Sequence, residues 1–291
     1  MGGPDRGGDH LRTAAAPISW GVCEVPGWGY QLDPDRVLGE MAELGLDATE
    51  LGPDGFLPPA AGERSRLLDR YGLRVVGGFV PVVLHEPDHD PLPGVRALLG
   101  SFEEEAVVVL AAVTGTAGYD TRPALDAGGW RTLLANLDRI AGALRHPVAL
   151  HPHVGTMVES ADEVDRVLGG SAVPLCLDTG HLLVGGADPV DLAARAAGRI
   201  AHVHLKDVDA ALAERVRGGA MSYTEAVRAG MYRPLGRGDV DVKAIVTSLT
   251  AAGYTGWYVM EQDVVLDAEP PAGAGPIGDV RESLSFLRSL A

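Results

Sequence analysis

Cysteine is nearly missing from this sequence: Cys23 and Cys176 are the only two in 291 residues. That excludes a disulfide framework. Both fall in apolar, strand-like stretches and are expected as buried, reduced thiols. Basic residues are scarce as well, 24 lysines and arginines against 40 aspartates and glutamates, for a formal net charge of −16. A field of that sign repels a polyphosphate backbone, and no Lys/Arg cluster offers a local basic groove, so nucleic acid is not an expected partner. Long apolar runs are absent too, because charged residues interrupt every stretch before it reaches transmembrane length. The opening Met1-Gly-Gly-Pro-Asp-Arg-Gly-Gly-Asp-His10 lacks the apolar segment of a secretory signal. It reads as a flexible tail over residues 1–16, with folded structure from Pro17, in a cytoplasmic protein. No Gly-x-Gly-x-x-Gly follows the first expected strand, which removes the usual reason to prefer a dinucleotide-binding fold.

What the sequence does have is 46% hydrophobic residues, set out in alternating short β-rich runs and helical stretches. Eight strands are expected: Pro17–Cys23, Asp47–Leu51, Arg74–Leu84, Ala106–Val113, Pro147–Val154, Pro174–Leu177, Ile200–Leu205 and Gly256–Met260. Several are continuously apolar, as in Ala-Val-Val-Val-Leu-Ala-Ala-Val over 106–113, which suits parallel strands covered on both faces. Between them, Pro34–Leu44 places Val37, Leu38, Met41 and Leu44 on one stripe behind an Asp33 N-cap. Trp130–Leu144 repeats the pattern. Strand–helix alternation implies right-handed βαβ units, and eight of them in this length predict a single α/β domain over 17–291, a (β/α)8 TIM barrel. The long connection from Val208 to Val240, with a helix expected over Ala210–Arg217, reads as an insertion at the catalytic end.

The polar residues that do not belong in buried strands fall at strand C-terminal ends, which converge on one mouth in such a barrel. They are Glu50 at the end of strand two, His151 and His153 at the end of strand five, and Asp178 and His181 beyond strand six. His202, His204, Lys206 and Asp207 follow on strand seven, and Glu261 on strand eight. Burying this many ionisable groups together is costly unless a divalent cation compensates. Mixed imidazole and carboxylate donors suit Mn²⁺, Co²⁺, Fe²⁺ or Zn²⁺ better than Ca²⁺. His202 and His204 point the same way on one strand; His204, nearer the mouth, is the expected ligand and His202 structural. The same logic leaves His151 and His153 both facing the mouth.

These fragments resemble the sugar isomerase/epimerase superfamily, the xylose isomerase-like barrels, and within it the inosose dehydratases. The likeness runs through Pro17-Ile-Ser-Trp-Gly21, Thr49-Glu-Leu-Gly52, His151-Pro-His-Val-Gly-Thr156, Leu177-Asp-Thr-Gly-His-Leu182, His202-Val-His-Leu-Lys-Asp207, Pro234-Leu-Gly-Arg-Gly-Asp-Val-Asp241 and Gly253-Tyr-Thr-Gly-Trp257. It implies one divalent metal, Mn²⁺ or Co²⁺ first and Zn²⁺ or Fe²⁺ next, on Asp178, His204, Glu261 and a fourth position that falls on His151. Epimerase-like members carry Glu there. Its loss removes one of the two carboxylates that two-base epimerisation uses, and favours dehydration of a keto-inositol, 2-keto-myo-inositol. The alternative is an isomerase, epimerase or eliminase of a keto-sugar.

For dehydration, His153 or Glu261 is the expected base, His153 being preferred with His151 as ligand. His181 and Lys206 are expected to donate to oxygens where charge develops, with Lys206 protonating the leaving hydroxyl. Glu50 and Asp207 are expected to bind substrate, and Trp20 and Trp28 to wall its C–H face. The expected partner is therefore a small polyhydroxylated keto compound, with room for a homo-oligomer. Abasic-site endonucleases share this barrel, but they need several metals and a basic face that a net charge of −16 does not supply.

Overall fold

A computed structural model describes residues 11–116 and 118–290. Eight parallel strands close into a barrel: β1 (Thr13–Ala15), β2 (Ala48–Glu50), β3 (Arg74–Val82), β4 (Val107–Ala112), β5 (Val148–Leu150), β6 (Leu175–Asp178), β7 (Ile200–Leu205) and β8 (Tyr258–Met260). Closure comes from β1, which pairs with β2 on one side and with β8 on the other, Ala14 opposite Val259. Strand ends are in register where it matters: Asp178 sits opposite His204, and His204 opposite Val259.

The outer layer is helical: α1 (Pro34–Glu43), α2 (Ala61–Tyr71), α3 (Leu92–Leu98), α4 (Ala127–Ala143), α5 (Ala161–Gly170), α6 (Thr179–Val184), α7 (Pro189–Arg195), α8 (Ala210–Arg217), α9 (Tyr223–Arg228), α10 (Val242–Ala251) and α11 (Pro276–Arg288). Local chemistry sets their starts. Asp33 accepts from the Arg36 amide ahead of α1, and Asp126 from the Gly129 amide ahead of α4, each satisfying an amide that has no partner within the helix. Leu133, Leu137 and Ile140 on α4 are fully buried against the barrel, the apolar stripe of an amphipathic helix.

Two expectations at the start of the chain are corrected. Pro17–Cys23 is not the first strand: Pro17–Trp20 is a 3-10 turn. Pro17 lacks an amide and has a fixed φ, which suits the first helical position. The barrel strand is the preceding Thr13–Ala15, so residues 11–16 are not tail, while residues 1–10 of the expected tail lie outside the described residues. Cys23 consequently sits half-buried in a loop, whereas Cys176 is buried in β6; both thiols are free. The fifth strand ends at Leu150, which leaves His151 and His153 in the loop beyond it.

The connection after β7 is built, not loose. It holds α8, α9 and an antiparallel ribbon that pairs Asp207–Val208 with Tyr232–Arg233. Among the described residues, no helix is long and apolar enough to cross a membrane.

Candidate active site

A cavity of about 270 Å³ opens at the C-terminal ends of the strands. Its polar wall contains Glu50, His151, His153, His181, His204, Lys206 and Glu261, and Trp28 lines it as well. Eight of the eleven residues expected at the site therefore do meet there. Leu51, Leu57, Phe79, Leu98 and Phe102 add apolar surface to its lining.

Asp178, the last residue of β6, is wholly buried. Its Oδ1 accepts from the amides of Gly180 (2.9 Å) and His181 (2.8 Å) at the start of α6. This fixes the carboxylate and turns Oδ2 toward His151 Nε2 (3.2 Å), His204 Nδ1 (3.5 Å) and Lys206 Nζ (3.5 Å). Burial opposes its ionisation, but Lys206, His181 and the hydrogen bond from His151, with His204 close by, hold its pKa well below the usual carboxylate range.

His204 is oriented from behind. Its Nε2 lies 3.0 Å from Glu50 Oε1, and His202 Nε2 lies 2.7 Å from the same oxygen. An ionised carboxylate only accepts, so both Nε2 atoms carry protons. Burial works against ionising Glu50, yet the attraction to His204 and the two hydrogen bonds hold it ionised. His204 Nδ1 then faces two carboxylate oxygens, Glu261 Oε2 at 3.3 Å and Asp178 Oδ2 at 3.5 Å, without a hydrogen-bond partner. An unprotonated nitrogen there would be repelled by both acids, so positive charge belongs between the three groups. In the metal-free protein it is a proton on Nδ1, since against the effect of burial Glu261, Glu50 and Asp178 hold His204 well above its ordinary pKa; a cation can take its place.

That is the test of the metal expectation, and the donors fit. Asp178, His204 and Glu261 each present a ligand atom within 4.8 Å of the others, and together they form a nitrogen–oxygen set suited to a first-row divalent ion. His151 stands next to this triad rather than within it. Among the described residues no such group holds His151 together with Glu261; His151 groups with Asp178 and His181, and with Cys176 and His204.

The proton-transfer groups adjoin this triad, Lys206 Nζ lying 3.1 Å from Glu261 Oε2 and 3.5 Å from Asp178 Oδ2. His153 Nδ1 lies 2.7 Å from the Val154 carbonyl. A carbonyl cannot donate, so Nδ1 holds the proton and Nε2 keeps its lone pair. Burial, with His151 and Lys206 nearby, holds His153 uncharged. Its ring packs on His181, centroids 3.7 Å apart, and on Tyr119 at 4.8 Å. Lys206 Nζ touches Asp263 Oδ1 (2.8 Å), His181 Nε2 (3.0 Å) and Glu261 Oε2 (3.1 Å). Burial disfavours its charge, but Asp178, Asp263 and Glu261 hold the ammonium firmly protonated. Glu261 is pushed up to about 7, chiefly by burial. The Thr179 hydroxyl locks this corner, donating to the Lys206 carbonyl (2.6 Å) and accepting from its amide (2.8 Å). Gly180 is needed beside it: a Cβ there would stand 2.7 Å from Lys206 Cβ and 2.8 Å from the Tyr232 ring.

Two expected substrate contacts lie elsewhere. Trp20 is fully buried, with Nε1 donating to Glu40 Oε2 (2.8 Å), and packs in the core rather than at the cavity. Asp207 turns away from the mouth and accepts from the amides of Val208, Gly236, Gly238 and Val240 at 2.8–3.0 Å. It clamps the Pro234–Asp241 segment. The sequence reading did not assign Phe79, Tyr119, Tyr223, Tyr232 or Asp263 to the site. Asp263 carried a signal, an acid two positions beyond Glu261; Phe79 stands within β3, while Tyr119 in a loop, Tyr223 on α9 and Tyr232 in the ribbon reach the site only by tertiary docking.

Comparison with known proteins agrees with this architecture. The model of a family described as the xylose isomerase-like TIM barrel matches residues 38–290. The chain is 34% identical to the rhizopine catabolism protein MocC of Rhizobium meliloti, over 87% of this chain and 82% of that one. It is also 34% identical to the inosose dehydratase of Geobacillus kaustophilus, over 96% and 94%. Among solved structures, an L-ribulose 3-epimerase superposes with a TM-score of 0.67 at 17% identity, over 96% and 94% of the two chains. The probable 3-DHS dehydratase AsbF of Bacillus anthracis gives 0.64 at 14%, over 95% and 98%. These two share the fold. On the family match and the two relatives, the protein is an enzyme that belongs to the xylose isomerase-like TIM barrel family.

Proposed function

We propose that the enzyme dehydrates a keto-inositol, 2-keto-myo-inositol in the first instance. The observation that carries this reading is the disposition of His153: a neutral imidazole with a bare Nε2 lines the same cavity as the charged Lys206, with the acid triad between β6, β7 and β8. The relatives named inosose dehydratase support it.

Asp178, His204 and Glu261 would hold the divalent ion, with His151 beside them and Glu50 fixing His204 from behind. When bound, such an ion supplies Lewis-acid stabilisation to the substrate oxygen that gathers charge. His153 Nε2 takes the proton from the carbon next to the carbonyl, breaking the C–H bond. The C–O bond to the β-hydroxyl then breaks, and Lys206 Nζ gives that oxygen a proton so that it departs as water. The product is the enol of a 1,2-dione. His181, whose Nε2 accepts from Lys206, helps to hold the ammonium against the leaving oxygen. Trp28 offers an apolar face to the ring's C–H bonds. Mn²⁺ or Co²⁺ is the proposed ion, on the mixed nitrogen–oxygen donor set.

The test is to strip the protein, reload it with Mn²⁺ or Co²⁺, and follow the ultraviolet absorbance of the dione with Asp178→Ala as control. Ion-dependent product that vanishes in the variant is the expected result. The second reading, epimerisation of a keto-sugar, is favoured by the near-neutral Glu261 on the metal side of the cavity, a second base. Substrate protons exchanging with D₂O without water loss would select it and overturn dehydration.

A further inference from the structure

We propose that Tyr223, backed by Tyr232, is a positioning residue that aims the Lys206 ammonium through Asp263, so that the segment after β7 is a working part of the site. This rests on the reading of Lys206 as the donor to the leaving oxygen.

The hydrogen-bond chain has one allowed direction. Asp263 accepts from Lys206 Nζ on Oδ1 (2.8 Å) and from the Tyr223 hydroxyl on Oδ2 (2.7 Å). A phenol has a single proton, and that of Tyr223 is spent on Asp263. The 2.8 Å contact between the Tyr223 and Tyr232 hydroxyls must therefore be donated by Tyr232. The order is Tyr232 to Tyr223 to Asp263, met from the other side by Lys206. Tyr223, Tyr232, Lys206 and Asp263 are all buried, so water does not compete for these bonds.

The two phenols reach the site on a rigid support. Tyr223 opens α9, and its amide donates to Asp120 Oδ1 (2.9 Å). Tyr232 lies in the ribbon paired with Val208, its ring centroid 5.3 Å from Lys206 Nζ, within cation–π range. Lysine has a flexible four-carbon stem, and its other close contacts, His181 and Glu261, face the reacting groups. Asp263 is the partner whose own orientation is set from outside the reaction, by Tyr223. Such supporting hydrogen bonds commonly govern an active group's effectiveness without touching substrate.

The chain contains two lysines, Lys206 and Lys243; Lys206 is buried and Lys243 exposed on α10. A spectrum of ¹⁵N-lysine protein loaded with diamagnetic Zn²⁺ should show one ammonium protected from exchange with water, that of Lys206. Tyr223→Phe is expected to abolish the protection, Tyr232→Phe to weaken it, and exposed Tyr30→Phe to leave it unchanged. In turnover, Tyr223→Phe should slow water loss about 10–100-fold with KM nearly constant, while substrate C–H exchange with D₂O continues at the wild-type rate. A merely structural role would slow both steps together. Retained protection in Tyr223→Phe, or parallel loss of exchange and water release, overturns the proposal. If Tyr223→Phe does not fold, Asp263→Asn gives the same two readouts. Should the wild type show neither product nor exchange with the keto-inositol, the functional reading fails, and the spectrum alone still decides the positioning role.

Discussion

The two ends of the barrel handle charge in opposite ways. At the bottom, Arg12 and Arg74 stack on the Trp257 ring, 4.3 and 4.9 Å from its centroid, and Arg74 pairs with Asp47 in solvent at 2.8 Å. Each charge there stays hydrated along one side and contributes modestly. At the mouth, Asp178, Glu50, His204 and Lys206 are buried, and each depends on the others for its charge state. The difference teaches where selection for function acted: a fold can close its bottom cheaply, but only chemistry justifies the electrostatic cost of the top.

Breaking the mouth should have the largest effect. Asp178→Ala is expected to lower kcat/KM by roughly 10³-fold or more, with loss of bound metal by elemental analysis; an active, metal-replete variant would remove Asp178 from the ligand set. His153→Gln should lower kcat by about 10²–10⁴-fold and stop substrate C–H exchange. Continued exchange would pass the base role to Glu261.

Acid sharpens the contrast in the metal-free protein. The fold keeps His151, His153, His181 and His202 below their ordinary pKa, chiefly through burial, His151 at about 4. The unfolded chain binds protons at these four as pH falls below about 6.5. Glu261, raised to about 7, acts in the opposite sense, retaining in the fold a proton that the unfolded chain has lost, while His204, held well above its ordinary pKa, is protonated in both states over this range. Four imidazoles outweigh one carboxyl, so the unfolding free energy, and with it Tm, should fall as pH is lowered from about 6.5 toward 4, the free energy by up to about 1.4 kcal/mol per pH unit for each excess proton. A Tm that rises on acidification of the chelated protein would contradict this assignment.

Glu50→Gln should weaken metal binding about 10–100-fold through His204, measurable by competition with a chelating dye. The smallest effect is expected at the bottom. Trp257→Leu should lower Tm by about 1–4 °C with kcat/KM unchanged; a kinetic defect there would erase the distinction between the two ends.

Much of this was legible in the linear sequence. Strand-end acids and histidines could be placed together because barrel closure sends every strand's C-terminal end to one rim, whatever the loops do. Asp178, His204 and Glu261 come together on that basis alone. The misplaced first strand shows the limit: Pro-Ile-Ser-Trp is more apolar than Thr-Ala-Ala, yet the small alanines fit the barrel wall and Pro17 starts a turn. Trp20 and Asp207 were misread for a related reason. Their neighbours on the chain face the mouth, but each finds its hydrogen-bond partners outward, in Glu40 and in four backbone amides. Tyr223 and Asp263 could not be joined from sequence, since their contact spans forty positions and depends on how α9 docks.

The carboxylate of Asp207 gathers amides up to 33 positions away, and Gly238 is bare because a Cβ there would stand 2.3 Å from its Oδ1. The segment leaving β7 is thus stapled shut at its base, like a handle riveted at both ends. Loop closure costs little more as such a handle lengthens, so the stretch between the rivets is where new rims for the cavity can be grafted. A designer who keeps Asp207, Gly238 and the two phenols could exchange most of the rest, and alter which substrates are admitted without rebuilding the barrel.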